Sequence, residues 1–135
     1  MRQLMSDLWE VIKEPLWGFA IFVLLFVLVM AAMVQAGERE ECERLAPKYH
    51  AETEVVLWDG TRVDLLSDTH AWEVDWDHKW AEAIGQSLYY AAVTSKKPGI
   101  ILLVRERGKE RFTYRCQTVA AKYNIELRVE RVADD

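Results

Sequence analysis

Three acidic residues, Asp64, Glu73 and Asp75, stand where the pattern around them is apolar, and their spacing could hold a metal ion. Glu73 and Asp75 lie between Trp72, Val74 and Trp76 in the run AWEVDW, residues 71 to 76. Successive side chains of a strand point to opposite faces. Ala71, Glu73 and Asp75 therefore share one face, and Trp72, Val74 and Trp76 share the other, which packs the core. On the preceding run Arg62, Asp64 and Leu66 share a face opposite Val63 and Leu65. If a short turn at Ser67-Asp68-Thr69 pairs the two strands, Asp64 comes to lie beside Glu73 or Asp75. Carboxylates withdrawn from water without partners are costly, and like charges raise one another's pKa. A hard divalent cation, Mg²⁺ or Mn²⁺, relieves both, because Mg²⁺ is held by a few carboxylates and keeps several waters. The competing reading is two acids facing solvent on a half-exposed strand.

A helix follows. Lys79, Ala83, Gln86 and Tyr90 recur at steps of four, three and four, so they line one side. Trp80, Ile84, Leu88 and Ala91 form the adjacent apolar stripe. One face thus presents an ammonium, an amide and a phenol, in a position to meet the carboxylates. His70 and His78 have no companions at zinc-ligand spacing with the cysteines, which argues against a zinc site.

These residues resemble the PD-(D/E)xK, or restriction-endonuclease-like, nuclease superfamily. Asp64, then Glu73-Val-Asp75 after eight intervening residues, then a helix carrying Gln86-Ser-Leu-Tyr-Tyr90, is similar to the family motif, and the Gln-x-x-x-Tyr helix is similar to that of its RecB-type branch. The resemblance spans roughly residues 38 to 132. It implies a three-layer α/β/α mixed sheet and metal-dependent hydrolysis of phosphodiester bonds in nucleic acid, with DNA the expected substrate. By it Asp64 and Glu73 are metal ligands, joined by the Val74 carbonyl, and Gln86 and Tyr90 contact the phosphate or hold the site together. Two positions depart from the pattern. Asp75 occupies the usual lysine position, where it could bind a second metal or act as base, and Lys79 on the neighbouring helix could supply the ammonium. Val63 stands where the motif has proline. The alternative is a catalytically inactive relative acting in binding or assembly at the membrane.

The elements that must position these residues read as α-β-β-β-α-β-α-β. A short helix is expected over residues 38 to 50, weakened at Pro47. A hairpin over residues 54 to 68 turns at Asp59-Gly60, a strong tight-turn signal. The third strand covers residues 71 to 76. Asp77 can cap a helix running to about Thr94, stopped by Lys96-Lys97-Pro98-Gly99. The continuous apolar run IILLV, residues 100 to 104, reads as a strand covered on both faces. A charged turn, RERGKER, leads to a helix over residues 111 to 124 with Phe112, Cys116, Val119 and Tyr123 on one face. IELRVERV, residues 125 to 132, alternates as a last strand. This predicts an α/β (α+β) domain of packed layers.

The chain has 135 residues. Residues 1–15 form a leader and residues 16–36 an uncharged run, LWGFAIFVLLFVLVMAAMVQA. As a helix this run spans about 31 Å, enough to cross a hydrocarbon core of about 30 Å. It reads as a retained transmembrane anchor or a signal-peptide core. Val34-Gln35-Ala36 before Gly37 fits a cleavage pattern, whereas Asp7, Glu10 and Glu14 are unlike a short basic leader. Both readings place the domain, residues 37–135, outside the cytoplasm, anchored at the membrane or released to the periplasm or medium. That domain carries 15 Lys and Arg against 19 Asp and Glu. The balance excludes a strongly basic, non-specific nucleic-acid binder, although Lys96, Lys97, Arg105, Arg107, Lys109, Arg111 and Arg115 form a local basic cluster. Two cysteines in an exported domain suggest one disulfide, Cys42–Cys116. Oligomeric state is not readable from the pattern.

Overall fold

The computed structural model describes residues 2–105 and 110–133, with side chains for 17–33 and from residue 37 onward within those ranges. The expected charged turn at residues 106–109, with Arg107 and Lys109, and the side chains of Val34, Gln35 and Ala36 lie outside what is described. The chain divides into two compact units, Met1–Gly37 and Glu38–Asp135.

In the first unit, α1 (Arg2–Tyr49) carries the apolar run. Its most apolar 18-residue window has a mean hydropathy of 2.7, and none of that window is buried. Trp17, Phe22, Leu25 and Phe26 are all exposed. A helix this long and apolar, with no polar side turned outward, could span a membrane or act as a signal sequence.

In the second unit the elements are the last part of α1, β1 (Ala51–Val56), β2 (Arg62–Ser67), β3 (His70–Trp76), a single 3₁₀ turn (Asp77–Lys79), α2 (Trp80–Thr94), β4 (Lys97–Arg105), α3 (Glu110–Lys122) and β5 (Glu126–Val132). They form an α+β fold around a mixed sheet of five strands in the order β1-β2-β3-β4-β5. β1, β2 and β3 are antiparallel neighbours, and β3, β4 and β5 run parallel. The parallel crossovers pass through α2 and α3. The hairpin turn falls where expected, with Gly60 at φ 85°, a conformation glycine adopts without penalty.

Helices cover both faces. Cys42 and Leu45 of α1 pack against Leu65, Trp72, Val74, Ile101 and Leu103. Ala83 of α2 and Cys116 and Ala120 of α3 pack with Ile100, Leu102 and Ile125 on the other face. β4 thus sends alternate residues into two cores, which is why its sequence is apolar throughout. Gly99 pairs with Trp72 across β3 and β4. A Cβ there would stand 2.3 Å from Trp72 Cε3, so the indole occupies the space a side chain would need.

Four expectations need correction. The short helix from residue 38 is not a separate element, since α1 has no break before Tyr49. Asp77 does not cap α2: it opens the 3₁₀ turn, and Lys79 precedes α2 with no side-chain cap. On α3 the buried pair is Cys116 and Ala120, while Tyr123 is exposed, so the inward face is rotated from the aromatic stripe. The disulfide is absent: Cys42 and Cys116 are free, buried thiols in cores on opposite faces of the sheet. A disulfide needs Cα atoms within roughly 7 Å, and the sheet lies between them.

Candidate functional site

The site forms where β2 parts from β3. Their ladder registers only at Leu65–Trp72 and Leu66–Ala71. One step further would set Asp64 opposite Glu73, but there the Val74 N–H donates to Asp64 Oδ2 at 2.8 Å instead of to a strand carbonyl. A side chain has replaced a backbone partner. The exchange satisfies a buried amide and holds the Asp64 carboxylate between the strands, where it meets Glu73.

Glu73 and Asp75 point to the α2 face, as alternation predicts, while Trp72, Val74 and Trp76 belong to the α1 face. The solvent-facing alternative is excluded, because Glu73 is 6% and Asp75 4% exposed. Burial pushes the Glu73 carboxyl far above the usual carboxylate range, and the charges of Asp64 and Asp75 and its hydrogen bond to Asp64 add to this. Burial also raises Asp64, against the pull of the Val74 N–H, and Glu54 and Asp75 push it further up. Of this pair Glu73 holds the proton more tightly. Its Oε2 is buried with no hydrogen-bond partner, the kind of atom whose desolvation goes uncompensated.

Asp75 faces a different neighbourhood. Its Oδ1 accepts from the Trp76 N–H at 2.8 Å and lies 3.3 Å from Lys79 Nζ. Burial raises its pKa, and Lys79 offsets part of that. Lys79 Nζ is 2.7 Å from Glu38 Oε1 on α1. Burial disfavours its charge, but Glu38 and Asp75 outweigh this and hold the ammonium charged above its ordinary range. The lysine thus ties Asp75 to the first helix.

α2 brings Tyr90 to the same face. Tyr90 is buried with Val63 and Ala71, and its phenol is raised by burial and then by Glu73 and Asp64. Gln86 is half-buried on the adjoining turn, and among the described residues no hydrogen bond joins it to the carboxylates. The structure therefore gathers Asp64, Glu73, Asp75, Lys79 and Tyr90, with Gln86 at the margin.

Two acids of this neighbourhood carried no signal in the sequence. Glu38 lies in a run of acids, and only the packing of α1 singles it out. Glu54 falls at the step the β1–β2 ladder skips between Thr53–Leu65 and Val55–Val63, in the left-handed region at φ 57°, and Arg62 pairs with it at 2.8 Å. The Cys42 thiol nearby is pushed well up, by burial and then by the charges of Asp64, Glu54, Glu73 and Glu38, so it is no nucleophile.

Among the described residues no three His, Cys, Asp or Glu side chains form a ready-made metal cage. A Mg²⁺ site needs fewer, since one or two carboxylates suffice when waters complete the shell. The Asp64–Glu73 pair, with an unpartnered buried oxygen, fits that smaller requirement. A cavity of about 700 Å³ lies elsewhere, lined by Lys48, Tyr49, His70, Trp72, Glu126 and Glu130 among others. Its acids already have partners: Glu126 lies 2.9 Å from His70 Nε2 and pairs with Arg128, and Glu130 pairs with Lys48. No family model, curated protein or solved structure matches the chain.

Proposed function

We propose that the second unit is a PD-(D/E)xK-like nuclease domain, held at a membrane by the apolar helix or exported by it, that hydrolyses phosphodiester bonds of nucleic acid, DNA foremost, with Mg²⁺ or Mn²⁺. The element order α-β-β-β-α-β followed by an added helix and strand supports the resemblance, as does the three-layer arrangement. The observation that carries the reading is the buried Glu73 carboxyl, unpartnered at Oε2 and set against Asp64. A buried carboxyl oxygen with no partner is left uncompensated by the fold, and a bound cation would supply the missing partner.

Asp64 and Glu73 would hold the metal, which when bound supplies an activated water and offsets charge on the leaving oxygen. The Val74 N–H fixes Asp64 from below. Lys79, kept charged by Glu38 and Asp75, would orient the scissile phosphate or the attacking water. Asp75 sits between the lysine and the pair and could accept the water's proton. Tyr90 closes the apolar wall behind them.

Cleavage of plasmid and single-stranded DNA by the full chain in detergent micelles tests this. Activity is expected with Mg²⁺ or Mn²⁺, none in EDTA, and a loss of roughly 100-fold or more in Glu73→Gln, on the scale of several kcal/mol that a bound metal contributes. Equal activity in Glu73→Gln removes the assignment. One observation favours the second reading, an inactive module of the same fold: Lys79 is already spanned by two carboxylates, Glu38 and Asp75. Folded protein that cleaves neither substrate with either metal selects it.

A further inference from the structure

Among the described residues the sheet has two open edges, β1 and β5, and they are built differently. β1 carries Glu54 at φ 57° in mid-strand, an irregularity that spoils regular pairing. Antiparallel self-pairing of β1 about Thr53 would also set Glu52 against Glu54. β5 has neither defence. It runs seven residues, ELRVERV, with no positive-φ residue inside it, and Val129 is 45% exposed.

The sequence of β5 is complementary to itself. A two-fold axis normal to the sheet keeps every side chain on its own face, so the strand can meet a copy only with a residue opposite its own counterpart. Centred on Val129, the pairing puts Arg128 opposite Glu130 of the second copy, and Glu130 opposite Arg128 of the second copy. On the other face Val129 meets Val129, and Leu127 meets the aliphatic stem of Arg131. Neighbouring registers fail. Centring on Arg128 opposes Arg128 to itself and Glu126 to Glu130, and centring on Glu130 opposes that carboxylate to itself. Like charges directly opposite are destabilising, and opposite charges and β-branched pairs are favourable.

We propose that β5 is a homodimer interface, joining two copies edge to edge through antiparallel pairing centred on Val129 into one continuous sheet. The occupant is a second copy because this register pairs all seven strand residues with opposite charges facing, whereas the other charge-matched register, centred on Leu127 with Glu126 against Arg128, pairs only three of them. Main-chain hydrogen bonds supply the attraction, and Arg128 and Glu130, which within one chain already hold Glu126 and Lys48, would share those partners across the seam to set the register. The inference is independent of the nuclease reading, since β5 carries none of the candidate site residues.

The test uses the full chain in micelles present in excess over protein. Light scattering on the eluting complex should give a dimer. Val129→Cys should cross-link to a covalent dimer under mild oxidant, because facing Cβ atoms in such a pair stand about 4.5–5.5 Å apart. Cys42 and Cys116, being buried, should not cross-link in the parent. Val129→Lys and Arg128→Glu both change exposed side chains and should give folded monomers, while Val129→Thr keeps the dimer. A monomeric parent without cross-linking at residue 129 overturns the proposal. So does a dimer that survives both Val129→Lys and Arg128→Glu, which would place association elsewhere, for instance along the apolar helix.

Discussion

At the scale of single residues, the site is defined by acids kept from water. Glu73, Asp64 and Asp75 all have carboxyls raised above their usual range, with burial the first cause in each. At these three positions the fold therefore binds protons more tightly than the unfolded chain, whose carboxyls titrate near pH 4. Their contribution to stability is complete below that value and is lost as pH rises through the folded-state values. In EDTA, the thermal midpoint should rise as pH is lowered from about 8 to about 5.5, and Glu73→Gln, which mimics the neutral acid, should flatten that dependence. A midpoint that falls over the same interval, followed by circular dichroism, would show that the acids are ionised and satisfied in the fold. The acid motif was legible because alternation along β3 fixes which side chains share a face. Its partners Glu38 and Glu54 were not, because their nearness to Lys79 and Asp64 depends on how α1 and β1 pack, and no local spacing encodes that.

At the scale of elements, local patterns located most strands and helices, and tertiary packing decided the details. The Asp59-Gly60 turn and the apolar run of β4 carry their own signals. The inward face of α3 does not follow its aromatics, because Ala120 and Cys116 are small enough to let the helix approach the sheet and Tyr123 is not. The Asp77 cap fails because the chain leaving β3 first makes a 3₁₀ turn, which puts Lys79 rather than Asp77 ahead of α2. Two glycines test the packing in opposite directions. Gly99→Ala drives a methyl into the Trp72 ring and should cost about 1–3 kcal/mol, the range for overpacking. Gly85→Ala, at an exposed position of α2, meets nothing within 4 Å and should stabilise by roughly 0.5–1 kcal/mol. Urea midpoints of the two variants read both effects, and an unchanged Gly99→Ala would mean that the indole is not seated against β4.

At the scale of the whole molecule, the chain joins one long apolar N-terminal helix to a mildly acidic domain, and its contacts fall into two compact units, Met1–Gly37 and Glu38–Asp135. Composition misleads on the cysteines. An even count in an exported domain favours a disulfide, yet α1 and α3 lie on opposite faces of the sheet and each thiol is sealed in its own core. Burial pushes Cys116 up to about 11 and Cys42 further. Dithiothreitol should therefore leave the thermal midpoint unchanged, and both thiols should react with a thiol reagent only after denaturation. Quantitative loss of free thiol in the purified, oxidised protein would contradict this.

The central claim is that Asp64 and Glu73 together form a divalent-cation site, and calorimetric titration of Mn²⁺ into the full chain at neutral pH reaches it most directly. The account predicts saturable binding to the parent, abolished in Glu73→Gln and in Asp64→Asn, with both variants folded. No binding to the folded parent, or binding that survives both substitutions, would contradict it.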